Sequence, residues 1–188
     1  NFAQIGSYFI FFIVSVCVII IFWTPIIMRI EIGGSYLIGK DFWESYDIIP
    51  IILLAYIFYA FYVISMPAMY IFEKQNWSPI FRGSGAIVNI ILNIILIPVI
   101  GIYGAAISTA ISYGVMTGFI YYKSNQWMQV PYKWGLIIKQ FILSIVIIYI
   151  YNLFGPSILL SIVFTATYFC LLWIFGFYKI ALKVYNQF

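Results

Sequence analysis

Histidine is absent from this 188-residue sequence, and Asp and Glu together number only five. Without imidazole the chain has no histidine-based acid–base chemistry and lacks the commonest metal ligand. The two cysteines, Cys17 and Cys170, stand in separate apolar runs with no metal-ligand spacing, so both read as small buried hydrophobes. No acidic residue follows Glu73, which excludes carboxylate catalysis in the apolar segments beyond it. No Walker loop or nucleophile elbow occurs. The lone Gly83-Ser84-Gly85 has no third glycine, preceding strand or following acid, and is not a nucleotide fingerprint. No catalytic residue, cofactor or metal site is therefore expected, and the chain does not read as an enzyme.

Charge of either sign is scarce. Charged residues make up 7% of the chain, against about 25% in soluble domains. Hydrophobic residues make up 65% and aromatics 22%, with a mean hydropathy of +1.10. A water-soluble fold of this size cannot hide so much apolar surface. The nine Lys and Arg residues are scattered singly between apolar runs, so the net charge of +4 does not imply a nucleic-acid partner. The partner it implies is the lipid bilayer.

A bilayer core needs about 20 apolar residues per helix. Six stretches meet that length, at about 5–28, 48–72, 80–97, 102–122, 136–154 and 157–178. They are continuously apolar, whereas barrel strands would alternate over about ten residues. The expected fold is all-α: a polytopic bundle of six transmembrane helices, read as one domain over 1–188. The chain starts at Asn1 and runs directly into an apolar segment without a basic n-region, so a fragment lacking its N-terminal part is expected.

Loop charges set an orientation. Lys74, Arg82, Lys123, Lys133, Lys139, Lys179 and Lys183 fall on one side. Arg29 and Lys40 fall on the other, diluted by Glu31, Asp41, Glu44 and Asp47. Cytoplasmic loops carry the Lys/Arg excess, which predicts a cytoplasmic C-terminus and short external turns at Pro98-to-Ile102 and Gly155-Pro156. In the long external loop, Phe42, Tyr46 and Ile49 share a helical face, predicting a short helix in the membrane interface.

Four features bear on function. Asn89 and Asn93, four residues apart, lie on one face of an apolar helix. A buried amide is costly unless hydrogen-bonded, so that face lines a polar path or bonds a neighbouring helix. Small residues form two adjoining stripes, Gly101, Ala105, Thr109 and Gly104, Ser108, Ser112. They predict close helix packing and a central fourth helix. Arg82 and Lys74 at the cytoplasmic mouth either recognise a diphosphate or serve as positive-inside anchors. Pro67 permits a kink in the second helix.

The run Asn89-Ile-Ile-Leu-Asn93-Ile-Ile-Leu-Ile-Pro98-Val-Ile-Gly101-Ile-Tyr-Gly104-Ala105-Ala106-Ile-Ser-Thr-Ala-Ile-Ser112-Tyr113 resembles the multidrug/oligosaccharidyl-lipid/polysaccharide flippase superfamily. The nearest branch is the polysaccharide flippases of the O-antigen and teichoic-acid type. Leu37–Ala55 also resembles that family's external loop and next helix, and the two stretches cover about half the chain. The resemblance implies the C-terminal lobe of a larger transporter whose N-terminal half is missing here. It further implies a cytoplasmic (inner) membrane location and export of a polyprenyl-diphosphate-linked oligosaccharide by alternating access. A basic cavity lining would be expected, yet every Lys and Arg falls near a segment end. Rival expectations are a cation-coupled multidrug exporter of the same fold, a membrane-embedded glycan polymerase and a non-transporting scaffold.

Overall fold

Residues 2–175 are described by the computed structural model. Six helices account for most of them: α1 (Phe2–Met28), α2 (Ile49–Ile71), α3 (Ser78–Ile100), α4 (Ile102–Trp127), α5 (Trp134–Phe154) and α6 (Ile158–Ile174). The fold is all-α. Four helical runs, Phe2–Met28, Lys40–Ile71, Gln75–Ile100 and Trp134–Phe154, are long and apolar enough to cross a membrane, which makes this a multi-pass membrane protein.

The two remaining helices differ for separate reasons. α4 is long enough but is diluted by glycine, serine and threonine. α6 has 17 described residues, and residues 176–178 of the expected sixth segment lie outside the described residues, as do Lys179 and Lys183.

Between α1 and α2 a short hairpin is followed by a short helix, 3-10 rather than α, over the residues where the spacing of Phe42 and Tyr46 predicts one. Glu31–Ile32 (β1) pairs antiparallel with Ser35–Tyr36 (β2), and a 3-10 helix covers Lys40–Ile48. Gly33 and Gly34 have φ of 61° and 84°. These two positive-φ positions form a two-residue hairpin turn. Arg29 lies 5.7 Å over the Trp43 ring, and Tyr36 meets that ring edge-on.

The helices form two compact units. One takes in the start of α1 to Ile10 and Asp47–Tyr132; the other takes in Phe11–Tyr46 and the described residues from Lys133. In the first unit α4 packs against both α2 and α3. Its core is Tyr62, Met69, Phe81, Met116 and Ile120, flanked by Trp77 and Trp127. The Thr117 hydroxyl donates to the Phe58 carbonyl at 2.7 Å, tying α4 to α2. Tyr132, in the segment after α4, donates to the Ile64 carbonyl at 3.0 Å. Burial pushes its phenol pKa up. α2 runs through Pro67 without interruption.

The second unit has a polar core. Gln140 of α5 is 1% exposed. Its Nε2 donates to the Phe11 carbonyl at 2.9 Å, to Ser15 Oγ at 3.2 Å and to the Tyr168 hydroxyl at 3.3 Å. One turn further along α5, Ser144 also bonds Tyr168. Two turns further along α5, Tyr151 and, from α6, Ser161 both donate to the Phe22 carbonyl, at 2.9 and 2.8 Å. α1, α5 and α6 are thus pinned by side-chain hydrogen bonds, because apolar surface alone does not drive helix association in lipid. Pro25 supplies no N–H to the Ile21 carbonyl, and the Tyr46 hydroxyl donates there instead, at 3.3 Å. Gln140→Leu should cost about 1–2 kcal/mol of unfolding free energy. A detergent-denaturation midpoint checks this, and an unchanged midpoint would refute the role of the network.

Candidate functional site

Arg82, Ala86, Asn89 and Asn93 recur on α3 at a spacing that stacks them on one helical face. That face meets α4 because Gly85 is buried beside it. A Cβ on Gly85 would stand 3.2 Å from Met116 Cβ and 3.3 Å from the Ser112 carbonyl oxygen, tighter than most side chains tolerate. Close approach at Gly85 leaves a cavity of about 290 Å³ alongside, lined by Arg82, Asn89, Thr109, Ser112, Tyr113 and Met116 among others.

Arg82 is exposed, one turn inside α3. Its Nε donates to the hydroxyl of the fully buried Tyr62 at 3.4 Å. Tyr62 lies nine residues before the end of α2, about 13 Å along the axis, so the guanidinium sits below the helix ends. Tyr59 stacks on Tyr62 with ring centroids 5.8 Å apart and reaches Tyr113 at 5.4 Å. Tyr56 meets Tyr113 edge-on. Of these tyrosines Tyr113 of α4 lines the cavity, with Tyr56 and Tyr59 of α2 packed against it.

The polarity of that lining is one-sided. Thr109 donates its hydroxyl proton to the Ala105 carbonyl at 2.9 Å, and Ser112 donates to the Ser108 carbonyl at 2.5 Å. Asn93 Nδ2 donates to Asn89 Oδ1 at 2.9 Å. This leaves the Asn89 NH2 group and the outer nitrogens of Arg82 as donors with no partner among the described residues. No carboxylate is among the described residues that line the cavity. Such a lining suits a ligand rich in acceptor oxygens.

The sequence-derived candidates fall out as follows. Asn89 and Arg82 line the cavity, and Asn93 lies one turn away, bonded to Asn89 within the same helix rather than across to another. Lys74 is exposed in the turn before α3 and does not line the cavity. In the small-residue stripes, Gly104, Ser108 and Ser112 are buried. Gly101 makes the α3–α4 turn at φ 57°. Ala105 and Thr109 are half-buried, and Thr109 faces the cavity.

Sequence reasoning missed Tyr59, Tyr62 and Tyr113, which are unremarkable among 17 tyrosines. It also missed Gln140, a lone buried amide in an apolar run, the same signal that singled out Asn89. Arg82 lies seven residues before Asn89, a spacing that already placed it on the amide face. No protein-family model matches the sequence, and neither a curated protein nor a solved structure matches it.

Proposed function

We propose that this chain forms one lobe of a flippase that exports a polyprenyl-diphosphate-linked oligosaccharide across the cytoplasmic membrane, with its C-terminus in the cytoplasm. The observation that carries the reading is the donor-lined cavity on α3 and α4, set among helices long enough to span a bilayer. A charged guanidinium within a membrane faces water or a counter-ion. Arg82 is exposed, and no carboxylate lines its cavity among the described residues, so a diphosphate is a chemically apt partner. Arg engages phosphate oxygens in a bidentate fork. Neighbouring tyrosine rings and the Asn89 amide are the kinds of group that contact a sugar, while the lipid tails stay in the bilayer. The resemblance of Asn89–Tyr113 to the polysaccharide flippases supports the same reading. In the alternating-access mechanism, this lobe rocks against a second one around the headgroup.

The test is sidedness. Cells lacking the gene are probed with a lectin that reaches only the outer leaflet. Full-length lipid-linked glycan held on the cytoplasmic leaflet is the expected result. Undiminished outer-leaflet display would overturn the proposal.

A further inference from the structure

We propose that Asn93 is a positioning residue that fixes which end of the Asn89 amide faces the cavity, an inference that rests on the anionic-headgroup reading above. A primary amide can present either its carbonyl or its NH2 group, two opposite signals to a ligand. Nothing about residue 89 alone decides between them. Asn93 decides it, because its Nδ2 donates to Asn89 Oδ1 at 2.9 Å from the next turn of the same helix. The Asn89 carbonyl is engaged there, and the NH2 group is left for the cavity, on the same face as the Arg82 guanidinium.

Asn93 serves this role at a cost to itself. Its own Oδ1 is buried with no hydrogen-bond partner among the described residues. A buried carbonyl without a donor is a net liability to folding. Leucine at that position would fill similar space without the liability. The amide at residue 93 is therefore poorly explained as a packing or stability device, and its one hydrogen bond orients Asn89. The cavity then offers donors from both α3 groups, which favours acceptor oxygens such as those of a phosphate.

A double-mutant cycle tests this on the full protein in lipid nanodiscs, with undecaprenyl diphosphate as the probe. Asn89→Leu should weaken probe binding about tenfold, which is about 1.4 kcal/mol. Asn93→Leu should weaken it by three- to tenfold. The double variant should bind no worse than Asn89→Leu alone, because Asn93 acts only through its neighbour. The melting temperature of ligand-free Asn93→Leu should be unchanged or raised. If that variant does not fold, Asn93→Ala repeats the cycle without added bulk.

Additive losses in the double variant would overturn the proposal, since Asn93 would then act separately. A silent Asn93→Leu, or a silent Asn89→Leu, would overturn it as well while leaving the flippase reading standing. If the unmodified protein does not bind the probe, the functional reading itself fails and the inference falls with it.

Discussion

Gly104→Ala is expected to be among the most damaging single changes in the protein, although it adds one methyl group. In a helix interior alanine is ordinarily favoured over glycine by about 1 kcal/mol. Here the methyl carbon would stand 2.6 Å from both the carbonyl carbon and the oxygen of Leu96, and 2.8 Å from Ile97 N. These are backbone atoms, so no side-chain rotation relieves the contact. α3 and α4 must separate at the turn or Gly101 must distort. Overpacking of this kind costs about 1–3 kcal/mol even where side chains can yield, and a backbone clash belongs at or above the top of that range. It outweighs the propensity gain. Gly118 is the matched control, since a Cβ there meets nothing within 4 Å. Gly118→Ala should be neutral or stabilising by up to about 1 kcal/mol. Thermal unfolding in detergent reads both. Equal midpoints for the two variants would refute the close α3–α4 approach.

Arg82→Leu should reduce export of the lipid-linked oligosaccharide by about 30-fold or more, corresponding to about 2 kcal/mol of lost headgroup interaction. Its fold should survive. The guanidinium is exposed, and its bond to Tyr62 is long at 3.4 Å, so little stability depends on it. Arg82→Lys keeps the charge but loses the planar fork, and an intermediate export rate is expected. Lys74→Leu should change export much less, because Lys74 does not line the cavity. The same outer-leaflet lectin readout serves all three variants. Full export by Arg82→Leu would remove the diphosphate from this site. Equal losses in the Arg82 and Lys74 variants would point to general loop electrostatics instead.

Particular residues show where sequence was enough and where it was not. The helices were legible because long uncharged runs have one economical solution in a bilayer, with every backbone group bonded within the segment. The break between α3 and α4 was legible at Gly101, but the expected turn starting at Pro98 is shorter, because α3 runs through Pro98 to Ile100. In the segment between α1 and α2, the shared spacing of Phe42, Tyr46 and Ile49 anticipated a short helix, which is found as a 3-10 helix over Lys40–Ile48, whereas the hairpin at Gly33-Gly34 was not anticipated. Asn89 and Asn93 were legible as a shared face, with both lining and interhelical bonding left open. The structure bonds them to each other within α3 and lines the cavity with Asn89.

By itself, then, the sequence determined that this is an all-α, multi-pass membrane protein, and which residues share each helical face. Those properties follow from composition and from the 3.6-residue period, which are local. Only the tertiary structure decided that Arg82 belongs to the cavity and Lys74 does not, that Tyr113 lines it with tyrosines of α2 packed against that ring, and that Gln140 ties α1, α5 and α6 together. Each of these depends on which helix lies against which, at distances set by a few glycines such as Gly85 and Gly104. Helix pairing in lipid follows steric fit and individual hydrogen bonds, and neither leaves a periodic trace along the chain.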